Sequence, residues 1–174
     1  MKAIFHLLPV AALTISVPAH ATVYLTVEQA QALMFQGANF TPAFLTLTDA
    51  QVSAIEKASS TSVRDRTLRA WRASTGGWFI ADEVIGKHDY IPFAVAIDAN
   101  GAVKGVEILE YREAYGGEVR NPHWLAQFAG KKNGDPIANG GGIKNISGAT
   151  LSSKHLTDGV RRLLASYAVA LAGR

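Results

Sequence analysis

The chain of 174 residues contains no cysteine. That absence excludes a disulfide framework, iron–sulfur ligation, thioether-linked haem and a cysteine-borne lipid anchor. The histidines His6, His20, His88, His123 and His155 stand apart, with no His-x-x-His or Glu-x-x-His spacing, so no metal-ligand pattern is present. Charge of one sign is not concentrated either. The formal net charge is +3, without a dense Lys/Arg patch, and nucleic acid is not an expected partner. The glycines do not spell the G-x-x-x-x-G-K-[ST] phosphate loop. Neither Ser-x-x-Lys nor G-x-S-x-G occurs, so the serines lack the partners of common acyl-transfer enzymes.

Long hydrophobic runs are also missing. The longest, Ala3 to Val17, is interrupted by His6 and Pro9 and is shorter than the ~20 residues of a membrane-spanning helix. Lys2 precedes it, and Ala19-His20-Ala21 follows with the small-x-small form of a signal-peptidase site. Residues 1–21 therefore read as a secretory signal peptide cleaved after Ala21, and the protein is expected in the periplasm. Loss of Lys2 with the signal lowers the formal charge from +3 to +2. The remaining chain, roughly 150 residues, is the size of one ordinary domain. Its share of hydrophobic residues, 48% over the full sequence, is enough to form a core without covalent cross-links.

Residues 22–62 read as an N-terminal helical segment. Thr26 with Gln29 and Thr48 with Gln51 each form a capping-box pattern ahead of apolar residues at helical spacing. Asn39-Phe40-Thr41-Pro42 reads as a turn between the two helices, with Phe40, Phe44 and Leu47 packing inward. Arg64, Arg66, Arg69 and Arg72 are spaced as on a solvated face.

A second domain is read over residues 63–174, and from Leu68 the pattern becomes β. Leu68–Ala73, Trp78–Ile85, Tyr90–Asp98 and Val103–Tyr111 are separated by turn signals, and Asn100-Gly101 predicts a type I′ hairpin. Pro92 predicts an edge or a bulge at the start of its strand. The fold class is α+β: an antiparallel meander with helices packed on it and an N-terminal helical cover.

The chemistry concentrates in Ser147-Gly148-Ala149-Thr150-Leu151-Ser152-Ser153. Gly140, Gly141 and Gly142 lead into it, and Leu156, Val160, Leu163, Leu164, Tyr167 and Leu171 follow at helical spacing. The hydroxyls thus fall at a helix N-terminus, where free N–H groups and the helix dipole favour an anion by ~0.3–1 kcal/mol. On the residues alone, two readings stand: helix capping, or a phosphate site.

The string SGATLSS resembles the flavinylation motif of the FMN-binding domain family, an Asp, two residues, Ser or Thr, then Gly-Ala-Thr. That family includes one subunit of the Na+-translocating NADH:quinone reductase and one of the Rnf electron-transport complex. The resemblance, covering about Trp78 to Leu171, implies that Thr150 carries FMN through a phosphoester, as threonyl-FMN. It also implies that an FAD:protein FMN transferase installs the cofactor, with Ser147, Gly148, Ala149, Leu151 and Ser152 around it. It further implies electron transfer with a membrane-bound donor or acceptor as partner, the protein being a carrier or subunit rather than a stand-alone enzyme. The Asp of the pattern is replaced by Lys144, which either weakens recognition by the transferase or pairs with the FMN phosphate.

A second stretch, Glu110 to Lys131, combines aromatics, Gly116-Gly117 and carboxylates ahead of a short helical turn between Pro122 and Gly130. It resembles the loop that faces the flavin ring in that family, with Tyr115, Glu118, Trp124, Gln127 and Phe128 as candidate contacts. On spacing alone Trp124 and Phe128 are equally well core residues. A non-redox module that holds FMN or another anionic ligand non-covalently at the same helix terminus is the alternative function.

Overall fold

The computed structural model describes residues 22–113 and 115–174. The signal peptide expected at residues 1–21 lies outside the described residues. In chain order the elements are β1 (Thr22–Val23), α1 (Val27–Met34), β2 (Phe40–Pro42), β3 (Leu45–Thr46), α2 (Asp49–Ser59), β4 (Thr67–Ala73), β5 (Trp78–Ile85), β6 (Tyr90–Ile97), β7 (Val103–Ile108) and β8 (Glu110–Tyr111). A 3₁₀ turn (Gly117–Arg120), α3 (Pro122–Leu125), another 3₁₀ turn (Ala126–Phe128), α4 (Thr150–Ser166) and a π turn (Tyr167–Leu171) complete it.

Strands β4 to β7 form an antiparallel meander in sequence order. Its centre is buried on both faces. Trp78, Phe79, Ile80 and Ala81 of β5 and Phe93 to Ile97 of β6 are all buried, and alternate residues serve two cores. On one face Ile80, Val84, Phe93 and Val95 pack with α4 (Leu156, Val160, Leu163, Leu164) and Ile55 of α2. On the other, Phe79, Ala81, Ala94 and Ala96 pack with Ala30, Met34 and Phe35 at α1. Alanine predominates among these sheet residues, which lets a helix of 8 residues sit close. The protein is therefore α+β with helices on both faces of an antiparallel sheet. Among the described residues, no helix is long and apolar enough to cross a membrane.

Both capping boxes form. Thr26 Oγ1 accepts the N–H of Gln29 while Gln29 Oε1 accepts that of Thr26, and Thr48 and Gln51 do the same. The stretch between the helices differs from the expected turn. Phe40–Pro42 is a strand paired with Trp71–Ala73, and Leu45–Thr46 pairs with Thr67–Leu68. Proline is tolerated in β2 because β2 is the sheet's edge. Phe44 is not packed inward: it is 53% exposed and meets Trp71 edge-on, whereas Leu47 is buried.

Two turn expectations also change. Gly101 has φ 77°, but Asn100 lacks the positive φ that a type I′ turn requires. The Asp98 carboxylate accepts the N–H of Asn100 at 2.8 Å and of Ala102 at 2.9 Å, and this side-chain bridge selects the longer turn. Pro92 sits in an interior strand without a bulge of its own. Pairing with β7 begins only at Phe93, so no ladder donor is missed, and the Pro92 carbonyl still accepts the N–H of Leu109.

Helix α4 packs tightly against the sheet at Gly159, where a Cβ would lie 2.6 Å from Val84 Cγ1 and 2.9 Å from Phe93 Cζ. Arg161 and Arg162 hold the helix sideways. Arg161 donates to the carbonyls of Ser59 and Ile137, both at 2.6 Å, and Arg162 pairs with Asp82 at 2.8 Å. Gly159→Ala gains about 1 kcal/mol of helix propensity but overpacks the interface, typically at a cost of about 1–3 kcal/mol. Urea unfolding should show a net loss of stability for Gly159→Ala and a larger loss for Gly159→Val.

Candidate functional site

Three segments converge at the N-terminus of α4. They are the turn Lys87-His88-Asp89 between β5 and β6, the loop after β8 with Arg112, Glu113, Tyr115 and Gly116, and Gly148 to Ser152. Together they line a cavity of about 660 Å³. That volume lies within the roughly 300–1,000 Å³ of small-molecule sites. A shallower groove bordered by Tyr115, Gly116, Gly117, Glu118, Arg120, Asn121 and Pro122 adjoins it.

The start of α4 departs from the capping reading of the hydroxyl cluster. Ala149 occupies the N-cap position, and no side chain caps the helix. The serines are engaged elsewhere. Ser153 Oγ donates to Asn145 Oδ1 at 2.8 Å, and buried Ser152 meets the Tyr111 hydroxyl at 3.1 Å. Ser147 is exposed and does not line the cavity. Thr150 is exposed at the cavity wall, with the Asn145 amide 3.5 Å from its hydroxyl. A helix of 17 residues thus presents its positive end and an accessible hydroxyl to the same cavity.

Tyr111 holds the floor. Its hydroxyl donates to the Tyr115 carbonyl at 2.6 Å, and since that bond uses its one proton, Ser152 donates in the contact with Tyr111. Burial, the largest influence, pushes the Tyr111 hydroxyl above its ordinary pKa, while the Ser152 hydrogen bond acts the other way. Gly116 has φ 93°, and a Cβ there would lie 2.5 Å from the Tyr111 hydroxyl and 2.9 Å from Ser152 Oγ. The site therefore requires glycine at this position on both conformational and spatial grounds. His155 Nδ1 carries a proton donated to the Ile85 carbonyl at 2.6 Å, which ties α4 to the end of β5 just before the Lys87 turn. Arg112 pairs with Glu110 at 2.6 Å, a bond that pushes the guanidinium pKa further up.

Tyr115, Gly148, Ala149, Thr150, Leu151 and Ser152 are brought together at the cavity, while Glu118 borders the adjoining groove. Trp124, Gln127, Phe128 and Lys144 are not among the lining residues. Trp124 and Phe128 are buried and packed edge-to-face at 5.3 Å. Trp124 Nε1–H donates to the Lys144 carbonyl at 2.6 Å, and Gln127 Oε1 accepts the Lys144 N–H at 2.8 Å. These side chains grip the backbone that leads into Thr150, and the Lys144 side chain is left exposed. Sequence reasoning passed over Lys87, His88, Asp89, Arg112, Glu113, Gly116 and Asn145 as site residues. Gly86 followed by three polar or charged residues reads as any exposed turn, although Gly116 lies in a stretch already marked by its composition.

Residues 86–165 match the FMN-binding domain family. Every residue lining the cavity falls inside that match. The chain carries an FMN-binding domain. A Na(+)-translocating NADH-quinone reductase subunit from Vibrio vulnificus (strain YJ016) is 38% identical over 76 residues, 34% of this chain and 30% of the relative. Its counterpart from Vibrio anguillarum is 31% identical over 152 residues, 68% of this chain and 59% of the relative. The chain thus spans 30% to 59% of the length of these relatives. The longer match extends beyond the limits of the FMN-binding domain.

Tyr111→Phe removes the donor to Tyr115 and the acceptor for Ser152, leaving the buried Ser152 hydroxyl unpaired at a cost of about 1–3 kcal/mol. Its effect on pH dependence has a definite sign. In the native protein, the Tyr111 contribution to stability is constant below the unfolded tyrosine pKa and declines as pH rises from that value through the higher folded one. Denaturant unfolding of Tyr111→Phe should show lower stability at neutral pH and a shallower alkaline decline.

Proposed function

We propose that the protein is an exported, periplasmic electron-transfer flavoprotein carrying FMN on Thr150 through a phosphoester bond. The observation that carries this reading is the exposed Thr150 hydroxyl at a helix start without a side-chain cap, beside a cavity of suitable volume within an FMN-binding domain. Gly148 to Ser152 would hold the phosphate end, where first-turn N–H groups favour an anion. Gly116 keeps the neighbouring wall free of a side chain, and residues 87–89 together with Arg112, Glu113 and Tyr115 flank the remaining volume. Bound flavin supplies one- and two-electron transfer, and the protein supplies orientation and shielding from water.

Attachment requires a separate catalyst, because no general base is hydrogen-bonded to the Thr150 hydroxyl among the described residues. An FAD:protein FMN transferase is the partner that fits. The similarity to subunits of an NADH-quinone reductase supports a membrane-bound donor or acceptor. Covalent retention suits a protein working outside the compartment where flavin is made.

Co-expression of the exported protein with a flavin transferase, followed by in-gel fluorescence after denaturation, tests the assignment. Wild type should give a fluorescent band with a matching intact-mass increase, and Thr150→Ala should give neither. Flavin that binds the native protein but leaves on denaturation would instead establish the non-covalent module. Lys144→Asp should raise the flavinylated fraction, because the Lys144 backbone is held by Trp124 and Gln127 whatever its side chain. An unchanged or lower fraction would identify Lys144 as a phosphate partner.

A further inference from the structure

Glu113 joins two walls of the cavity that are distant in sequence. One carboxylate oxygen, Oε1, accepts the N–H of His88 at 2.8 Å and the N–H of Asp89 at 3.1 Å. The turn containing those residues closes through the Gly86 N–H, which donates to the Asp89 carbonyl at 2.7 Å. Space for the carboxylate exists because residue 86 is glycine: a Cβ there would collide with Glu113 Oε1. The turn has little else to hold it. Lys87, His88, Asp89 and Tyr90 are all exposed and place no side chain in either core.

The opposite wall is firmly based. Tyr111 is buried in β8, and its hydroxyl fixes the Tyr115 carbonyl and contacts Ser152 of α4. Glu113 lies between these anchored residues, so it transmits their position to the exposed turn across the cavity. A carboxylate suits the task, since backbone hydrogen bonds to an ionised acceptor are roughly twice as strong as neutral ones.

We propose that Glu113 is a positioning residue that latches the Lys87-His88-Asp89 turn against the cavity wall at Arg112, Tyr115 and Gly116, forming the wall that shields a bound flavin from water. The shielding half of this inference rests on the flavin assignment at Thr150, whereas the latch itself rests on the two hydrogen bonds that Glu113 accepts.

Glu113→Ala and Glu113→Gln separate the two halves. In unloaded protein, amide hydrogen exchange at His88 and Asp89 should accelerate about tenfold or more in Glu113→Ala, the change expected for losing a charge-assisted bond. Glu113→Gln, which keeps a carbonyl acceptor, should restore at least part of the protection. The exchange of core amides in β5 and β6 serves as the control for folding and should match wild type. In flavin-loaded protein, iodide should quench the flavin fluorescence of Glu113→Ala more strongly than that of wild type, with Glu113→Gln between them. Exchange at residues 88 and 89 equal to wild type in Glu113→Ala overturns the latch, as does a Glu113→Gln variant that behaves like Glu113→Ala. Faster exchange with unchanged iodide quenching overturns the shielding role. Wild-type protein without bound flavin counts against the Thr150 assignment and removes the shielding role with it, while the exchange result still decides the latch.

Discussion

The contact between α4 and the sheet at Gly159 governs where the chemistry can occur. With no room for a methyl group between the helix and Val84 or Phe93, the helix lies flush against β5 and β6. Its register is then fixed by His155 on the Ile85 carbonyl and by Arg161 and Arg162 on α2 and β5. The N-terminus of α4 consequently ends beside the turn that follows β5. The loop after β8 reaches the same place because β8 stands beside β6, and the Tyr111–Ser152 contact closes the junction. The cavity is a product of core packing, although few of its lining residues belong to the core.

Around Thr150 the protein separates the group available for reaction from the groups that position it. Trp124 and Gln127 hold the backbone at residue 144, and Asn145 spans from Asn139 to Ser153. The buried hydroxyls of Ser152 and Ser153 are satisfied within the protein. Among the described residues the Thr150 hydroxyl has only the long contact to Asn145, and the residue remains exposed. A burial pattern of this kind places polar side chains under the loop as supports and leaves one hydroxyl facing the cavity.

The central architecture was legible because its signals are local. Four apolar segments between turn signals became β4 to β7, both capping boxes formed, and the helix-spaced residues after Thr150 became the buried face of α4. What escaped depends on partners remote in sequence. Nothing within Phe40–Pro42 announces pairing with Trp71–Ala73, and Asn100-Gly101 could not reveal that the Asp98 carboxylate would choose the turn. The site divides the same way. Thr150 stands out in its own string, but Glu113 acquires meaning only when His88 and Asp89 are brought to it. Trp124 illustrates the converse: its aromatic character suggested a ring contact, while its indole N–H is committed to a backbone carbonyl.

In the short strand β1, Thr22 pairs with Tyr111 and Val23 with Glu110, and the Arg120 guanidinium lies 3.3 Å over the Tyr24 ring. Residue 22 therefore sits beside the strand that supports the cavity floor. Residue 174 lies elsewhere, where the Arg174 carbonyl meets Arg72 of β4. Bulk attached at residue 174 is therefore remote from the strand beneath the cavity, whereas bulk attached at residue 22 adjoins it. Orientation on an electrode or in a fusion protein is thus set by which of these two positions carries the attachment.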